Sequence, residues 1–129
     1  MRVITIKIAG VERYLLFNGA AMFAFRDEFE GPTEVLEAIS ADTRDGFTTT
    51  CKAIALLAEQ GELARRFYGY DPVPILTAEE IAGITTPADI TAMKLAIPTA
   101  IAVGYGREVD TENDEVDIGL MELNQKKTK

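Results

Sequence analysis

The chain has 129 residues, of which 47% are hydrophobic and 26% charged, a balance that predicts one globular domain with its own core. Its net charge of −8 repels phosphate backbones and anionic lipid, so we expect neither nucleic acid nor a membrane as its main partner. With no histidine and a single cysteine, it lacks the commonest general base and zinc ligand, and we predict no catalytic site, no metal site and no cofactor.

The N-terminal residues predict a β-hairpin. Residues 3–8 alternate in pattern, which places three isoleucines on one face of a strand and Val3, Thr5 and Lys7 on the other. A short turn follows, and residues 11–17 return as the second strand. Because a two-stranded hairpin is marginal alone, its apolar face is expected to cover helices.

Two helices are predicted next. Asn18 has a side chain of the kind that caps helix N-termini, and the helix that it starts is expected to end at Gly31. A short helix over residues 33–39 follows, with its apolar side chains on one side.

A longer central helix is predicted from about Asp45. Its apolar stripe has helical spacing and is formed by Phe47, Cys51, Ile54, Ala55 and Ala58. Cys51 lies on this stripe with no histidine to activate it, so we assign it to the core. We expect Gly61 to interrupt this helix.

The remaining elements are an extended connector and two helices. Prolines disfavour helix over residues 70–76. Thr77 and Glu80 form a capping-box pattern for the first of the two helices. Thr86 caps the last helix, which ends before residue 107, and Pro98 inside it should produce a kink.

These elements predict an α+β fold that is mostly α-helical, with an N-terminal β-hairpin packed on a bundle of four or five helices. We assign residues 1–106 to this globular domain. Residues 107–129 are predicted to form a disordered tail, because their apolar cluster is too short to outweigh chain entropy. The tail begins with an acidic stretch and ends with a lysine run.

The tail contains a pattern similar to the start of a calcium-binding loop. Asp110, Glu112 and Asp114 alternate as the first ligands of an EF-hand do. The sixth loop position is Glu115 where glycine is needed, and the twelfth is Met121 where glutamate is needed. We therefore interpret these residues as a solvated acidic stretch.

Residues 76–97 have the layout of a helix-turn-helix. A recognition helix needs cationic or amide side chains that reach phosphates and base edges. The second helix here carries Lys94 alone. DNA binding is therefore not expected.

Arginine and tyrosine are enriched at interface hot spots, and four such residues cluster near the end of the central helix. This candidate partner contact consists of Arg65, Arg66, Tyr68 and Tyr70. In the alternative interpretation, the arginines cap the last carbonyls of the helix.

A second set of candidate contact residues follows the last helix. These apolar residues have no obvious place in a domain that ends near residue 106, and we predict that they dock on a neighbouring copy or on a client protein. They are Tyr105, Leu120, Met121 and Leu123.

Three segments carry a family resemblance. The first is VITIKIAGVERYLLFNGAAMFAFRDEF, with strand, G-x-E-x-x-L, second strand and a helix after Asn. The second is DITAMKLAIPTAIAVGYGREV, a helix that runs into GYGRE, and the third is EVDIGLMELNQKK, an acidic segment with D-x-G-L-x-E-L and lysines. The chain resembles, in these segments, the tail assembly chaperones of long-tailed (siphovirus-type) bacteriophages and prophages. Residues 32–74 add little.

The resemblance implies a protein that binds the tape measure protein while tail tube subunits polymerise around it, and that is absent from the mature virion. It implies a chaperone and not an enzyme, acting in the bacterial host cytoplasm. The single cysteine and the lack of a signal-peptide layout fit that compartment. A homo-oligomer is left open.

Many members of this family also have a longer form, made by ribosomal frameshifting, that recruits the tail tube protein. Residues 125–127 (Gln-Lys-Lys) are compatible with a slippery A-rich codon run. An alternative of another class is a structural or adaptor component of a tail or capsid that is retained in the particle.

Overall fold

A β-hairpin opens the fold, with strand β1 (Arg2–Ile8) antiparallel to strand β2 (Val11–Leu15). Both residues of the turn, Ala9 and Gly10, have positive φ angles of 50° and 79°, which suit the tight turn between two twisted strands. The computed structural model describes residues 2–107 and 115–117 of the chain. The predicted hairpin is confirmed.

Five α-helices follow the hairpin in the part of the chain that the structure describes. They are α1 (Gly19–Phe29), α2 (Pro32–Ser40), α3 (Arg44–Phe67), α4 (Ala78–Ile84) and α5 (Pro87–Gly104). The predicted fold class, a hairpin packed on four or five helices, is confirmed. None of these five described helices is both long enough and apolar enough to cross a membrane.

Three helices begin at the capping side chains that the sequence identifies. Asn18 accepts a hydrogen bond of 2.9 Å from an amide in the first turn of α1. Thr77 with Glu80, and Thr86 with Asp89, form capping boxes at the starts of α4 and α5. Each box satisfies two amides that have no partner within the helix, which explains why these starts are predictable.

The predicted interruption at Gly61 is wrong, because α3 continues through it to Phe67. Gly61 instead lies against β2, where an added Cβ would stand 1.9 Å from the carbonyl oxygen of Tyr14. One turn earlier, the Leu57 carbonyl accepts a 3.0 Å hydrogen bond from the Leu16 amide just past the end of β2. Helix α3 thus covers the outer edge of the hairpin, a position that glycine makes possible.

The main core lies between one face of the sheet and the helices. Helix α5 packs against β1, and α3 packs against β2 and against α2, α4 and α5. Cys51 is buried in this core, as predicted. The largest fully buried side chains are Phe25, Ile4, Ile8, Leu15, Ile54, Leu57, Ile81, Met93 and Ile97, with Val3 and Val35.

The opposite face of the sheet is also partly covered. Val3, Thr5 and Lys7 are predicted to share one face of β1, and of these Lys7 is exposed whereas Val3 is buried. The reason is a second cluster, formed where the end of α3 reaches this face. Its buried members are Val3, Tyr14, Leu16 and Ala64.

A third strand was not predicted. Residues 115–117 fall within the predicted tail, but they form β3 (Glu115–Asp117), which pairs antiparallel with β1. Asp117 stands opposite Arg2, so the strand order is β2-β1-β3. The rest of the predicted tail, residues 108–114 and 118–129, lies outside the described residues, as does most of the acidic calcium-like pattern.

Candidate functional site

The most strongly connected group of polar side chains lies on the last turns of α3. Glu62 is only 7% exposed, and it accepts hydrogen bonds from the arginines three and four residues later. Arg65 donates to Oε1, and the Nε of Arg66 donates to Oε2 at 3.0 Å. We call Glu62, Arg65 and Arg66 the Glu62 cluster.

The Glu62 cluster holds the connector between α3 and α4. The Val73 amide donates to Oε2 of Glu62 at 2.8 Å. In the other direction, Arg65 donates to the carbonyl of Asp71 at 3.3 Å and Arg66 to that of Val73 at 3.0 Å. Charged groups of both signs therefore satisfy the polar backbone of an extended segment that has no secondary structure of its own.

The protonation of Glu62 reflects these contacts. Burial by itself would raise the pKa of the Glu62 carboxyl. The hydrogen bonds from Val73, Arg65 and Arg66 outweigh burial and lower this pKa below its ordinary value. Glu62 is thus a stable acceptor and not a proton donor poised for catalysis.

Tyrosines surround the same arginine. The guanidinium of Arg65 lies over the ring of Tyr70 at 5.2 Å and over that of Tyr14 at 5.6 Å from the ring centres. Burial is the main reason that the pKa of Tyr14 is raised. Tyr68 and Tyr70 also pack against the second apolar cluster, so both are partly built into the domain.

The structure therefore brings together the four predicted contact residues at the end of α3: Arg65, Arg66, Tyr68 and Tyr70. The alternative interpretation was that the two arginines cap the last carbonyls of α3. Their hydrogen bonds go to Glu62 and to the connector instead. The amides of residues 68–70 donate to carbonyls of residues 64–66. The guanidinium groups of both arginines already bind within the chain, where they hold the connector in place. Their contact with a partner protein stays a prediction.

Phe67, at the end of α3, is the most exposed apolar side chain near the Glu62 cluster, and it was not among the predicted contact residues. Phe67 is 82% exposed, and its ring packs edge-on against that of Tyr68 at 5.3 Å between centres. Leu63, one turn earlier, is also exposed. The signal was present in the sequence, because residues four apart share a helix face, but these two positions lie outside the apolar stripe that identified the core.

A small cavity lies between β2, α3 and the connector. Its volume is about 30 Å³, and Arg13, Glu62 and Pro74 are among its lining residues. The Nε of Arg13 is buried without a hydrogen-bond partner, although another nitrogen of Arg13 donates to the carbonyl of Pro74 at 2.7 Å. A space of this size suits a single water molecule and is too small for a substrate.

Tyr105 lies apart from that group in the chain, just after α5. Its ring packs on Phe17 with 5.4 Å between ring centres, and the guanidinium of Arg107 lies 5.6 Å from its centre. About half of the Tyr105 side chain is exposed. The other predicted docking residues, Leu120, Met121 and Leu123, lie outside the described residues.

The outward face of α5 is a second exposed apolar surface, and none of the contact residues predicted from the sequence lies on it. From residue 90 to residue 104 the only charged side chain is Lys94, which donates to the carbonyl of Ala41 at 3.4 Å. Leu95 is 64% exposed at the centre of this face, and Pro98 follows it one turn later. The hydroxyl of Thr99 donates to the Leu95 carbonyl. We call the exposed residues Ala92, Leu95 and Pro98, with Thr99 and Ala102, the α5 face.

The α5 face is unusual for the surface of a protein with this many charges. A helix that is apolar nearly all round is normally covered on all sides. The sequence carried this signal, since residues 95–104 contain no charged side chain at all. The capping-box residues predict where the helix begins and Pro98 predicts a kink at its middle, but neither feature identifies its outer surface.

The geometry gives no support for metal chemistry within the described ranges, residues 2–107 and 115–117. No group of three or more acidic or cysteine side chains is placed there to hold a metal ion. Comparison with known proteins yields no match, whether with family models, curated proteins or solved structures.

Proposed function

We propose that this protein is a phage tail assembly chaperone, which binds the tape measure protein, keeps it soluble and helps to recruit tail tube subunits. The observation that carries the proposal is the α5 face, an uncharged helix surface centred on a leucine that is 64% exposed. An uncharged helix surface of this kind is suited to contact the apolar stripe of a tape measure protein, and this supports the function that the resemblance implies. The proposed place of action is the bacterial host cytoplasm, with no place in the mature virion.

The physics of the client explains what such a face does. A tape measure protein is long and helical, and its exposed apolar stripes favour aggregation before tube subunits cover them. An apolar face on a small acidic protein covers such a stripe reversibly, while the net charge of −8 keeps the complex dispersed. Packing of a client helix against α5 is the mode of contact that we propose.

The competing proposal is a structural or adaptor component that stays in the particle. Mass spectrometry of purified virions separates the two, because a chaperone is missing from them and an adaptor is present in stoichiometric amounts. Recruitment of the tail tube protein is assigned here to a longer frameshifted form, which sequencing of the gene and detection of the extended product can test.

Leu95→Asp is the direct test of the α5 face. Because the side chain is mostly exposed, we expect the free energy of unfolding to change by less than about 0.5 kcal/mol. A charge at the centre of an apolar contact has no partner, so the amount of soluble complex on co-expression with the cognate tape measure protein should fall at least about tenfold. Pull-down from the soluble fraction measures this yield.

Phe23→Asp provides the matched control. Phe23 is 57% exposed on α1, so the same charge enters at a similarly exposed apolar position of another helix. This variant should keep the yield of the original protein. Equal yields from Leu95→Asp and the original chain would exclude the α5 face as the contact.

Pro98→Ala separates helix shape from helix stability. Pro98 has no amide, so the carbonyl of Lys94 lacks its usual donor inside α5. Alanine restores that donor and should raise the free energy of unfolding by about 2 kcal/mol. If the predicted kink shapes the client contact, affinity falls while stability rises. Unchanged affinity, measured by titration of a client fragment, would leave the kink without a functional role.

A further inference from the structure

The outward side of α3 carries large apolar side chains over about three turns. Leu56, Leu63 and Phe67 are separated by seven and then four residues, so they lie along one side of the helix. Leu63 is 44% exposed and Phe67 is 82% exposed, whereas Leu56 is partly buried. These three residues span about 16 Å at 1.5 Å per residue, and we call them the α3 outer face.

An open groove continues the α3 outer face toward the start of the helix. Ala55 and Leu56 line it on α3, and Leu76 and Ala78 line it on the connector and at the start of α4. Its volume is about 310 Å³. All four side chains are partly exposed, so a partner that fills the groove removes apolar surface from water.

Acidic side chains from three helices surround this groove. Glu28 of α1, Glu59 of α3 and Glu79 of α4 line it, together with one cation, Lys52. Within the described part of the chain, none of these three carboxylates has an ion-pair partner. No three acidic side chains of residues 2–107 and 115–117 are placed to hold a metal ion, so the rim suits cations that are spaced along a partner.

We propose that the α3 outer face and its groove bind an amphipathic helix of a partner protein, with lysine or arginine beside its apolar side chains. The apolar side chains pack on Leu56, Leu63 and Phe67, and the cations lie against the three carboxylates. Charge complementarity favours this partner over a second copy, because each copy has a net charge of −8 and repels another. The inference does not depend on the proposed chaperone function.

Titration with a synthetic peptide tests the proposal. The probe is a helical peptide of roughly 15 residues with leucines on one side and lysines beside them, long enough to cover the face. Fluorescence anisotropy at physiological ionic strength measures its affinity for the full chain. We expect saturable binding, and at least about tenfold weaker binding when glutamate replaces the lysines. Equal affinity for the two peptides, or no binding of the lysine peptide, would overturn the proposal.

Phe67→Asp separates the α3 outer face from non-specific attraction. The variant adds a negative charge, so an effect of net charge alone would strengthen the binding of a cationic peptide. We expect binding at least about tenfold weaker, because the apolar contact of the ring is lost. Phe23→Asp places the same charge at another exposed aromatic position, 57% exposed on α1, and should bind as the original protein does. Equal affinities of the two variants would contradict the proposed contact.

A pair of double variants tests the carboxylates. Glu59→Gln with Glu79→Gln should weaken binding about fivefold, because each exposed ion pair contributes little on its own. Glu34→Gln with Glu37→Gln removes the same charge from exposed positions of α2 that do not line the groove, and should change the affinity less than about twofold. The same loss of affinity in both double variants would assign binding to net charge and overturn the proposal.

Hydroxyl-radical labelling of the free protein identifies any other occupant of this face. Phe67 should be labelled in the free full chain, and saturating lysine peptide should lower its labelling at least about threefold, with no change at Phe23. Protection of Phe67 in the free protein would overturn the proposal, because a second copy or another segment of the chain would then cover the face.

Discussion

Replacing Gly61 by alanine should lower the free energy of unfolding by about 3 kcal/mol. The added Cβ would stand 1.9 Å from the carbonyl oxygen of Tyr14 and 2.5 Å from its carbonyl carbon. Both are backbone atoms, so no rotation of a side chain relieves the clash. Helix α3 must instead move away from β2, which also stretches the 3.0 Å hydrogen bond between Leu16 and Leu57. Urea unfolding followed by far-UV circular dichroism measures the loss.

Gly83→Ala is the control for this experiment. Gly83 lies within α4, and a Cβ added there meets nothing within 4 Å. Alanine at an open helix position should raise stability by about 0.5–1 kcal/mol, because glycine loses more conformational freedom on folding. If both variants raise stability, the backbone of α3 at Gly61 does not lie as close to the Tyr14 carbonyl in β2 as described here.

Glu62→Gln should lower the free energy of unfolding by about 2 kcal/mol. Removing one partner of a buried ion pair costs about 3–5 kcal/mol, and the partial exposure of Arg66 reduces that cost here. The amide keeps one acceptor oxygen, while Arg65, Arg66 and Val73 all donate at this position. Glu59→Gln, one turn earlier on the same helix, should change stability by less than about 0.5 kcal/mol.

The pH dependence gives an independent check on Glu62. Its folded-state pKa is lower than its ordinary value, so its stabilising contribution is fully present above the ordinary pKa of glutamate. That contribution is lost as the pH falls through the folded-state pKa. The difference in stability between the original protein and Glu62→Gln should therefore shrink in acid. A constant difference across this range would show that the carboxylate charge has no special role.

Local signals in the sequence explain what could be predicted of the fold. The side chains of Asn18, Thr77 and Thr86 bind amides within their own first helical turn, so a few residues contain the whole interaction. The alternation in β1 likewise reflects the face that carries Ile4, Ile6 and Ile8, all of which are buried in the main core. These features depend little on the rest of the chain, and the predicted boundaries follow them.

Contacts between distant segments explain what could not be predicted. A glycine within an apolar helix pattern is compatible with the end of a helix and also with a helix that approaches a neighbouring backbone closely. For Gly61, only the position of the Tyr14 carbonyl shows that the second explanation is correct. Glu62 looks like any exposed glutamate until the connector returns over it to place the Val73 amide 2.8 Å away. Strand β3 is three residues long, and its pairing with β1 spans most of the chain. Periodicity cannot detect a strand that short.

The strand order has a consequence for synthesis on the ribosome. Strand β1 is central in the order β2-β1-β3, but its two neighbours are translated at very different times. The hairpin and the helices have all emerged before β3 does, so one edge of β1 faces solvent throughout that interval. An open edge is where nascent chains pair with one another, and high local density on polysomes increases the hazard. Slow translation between the codons of α5 and those of β3 prolongs that exposure, so aggregation during expression should depend on codon choice there.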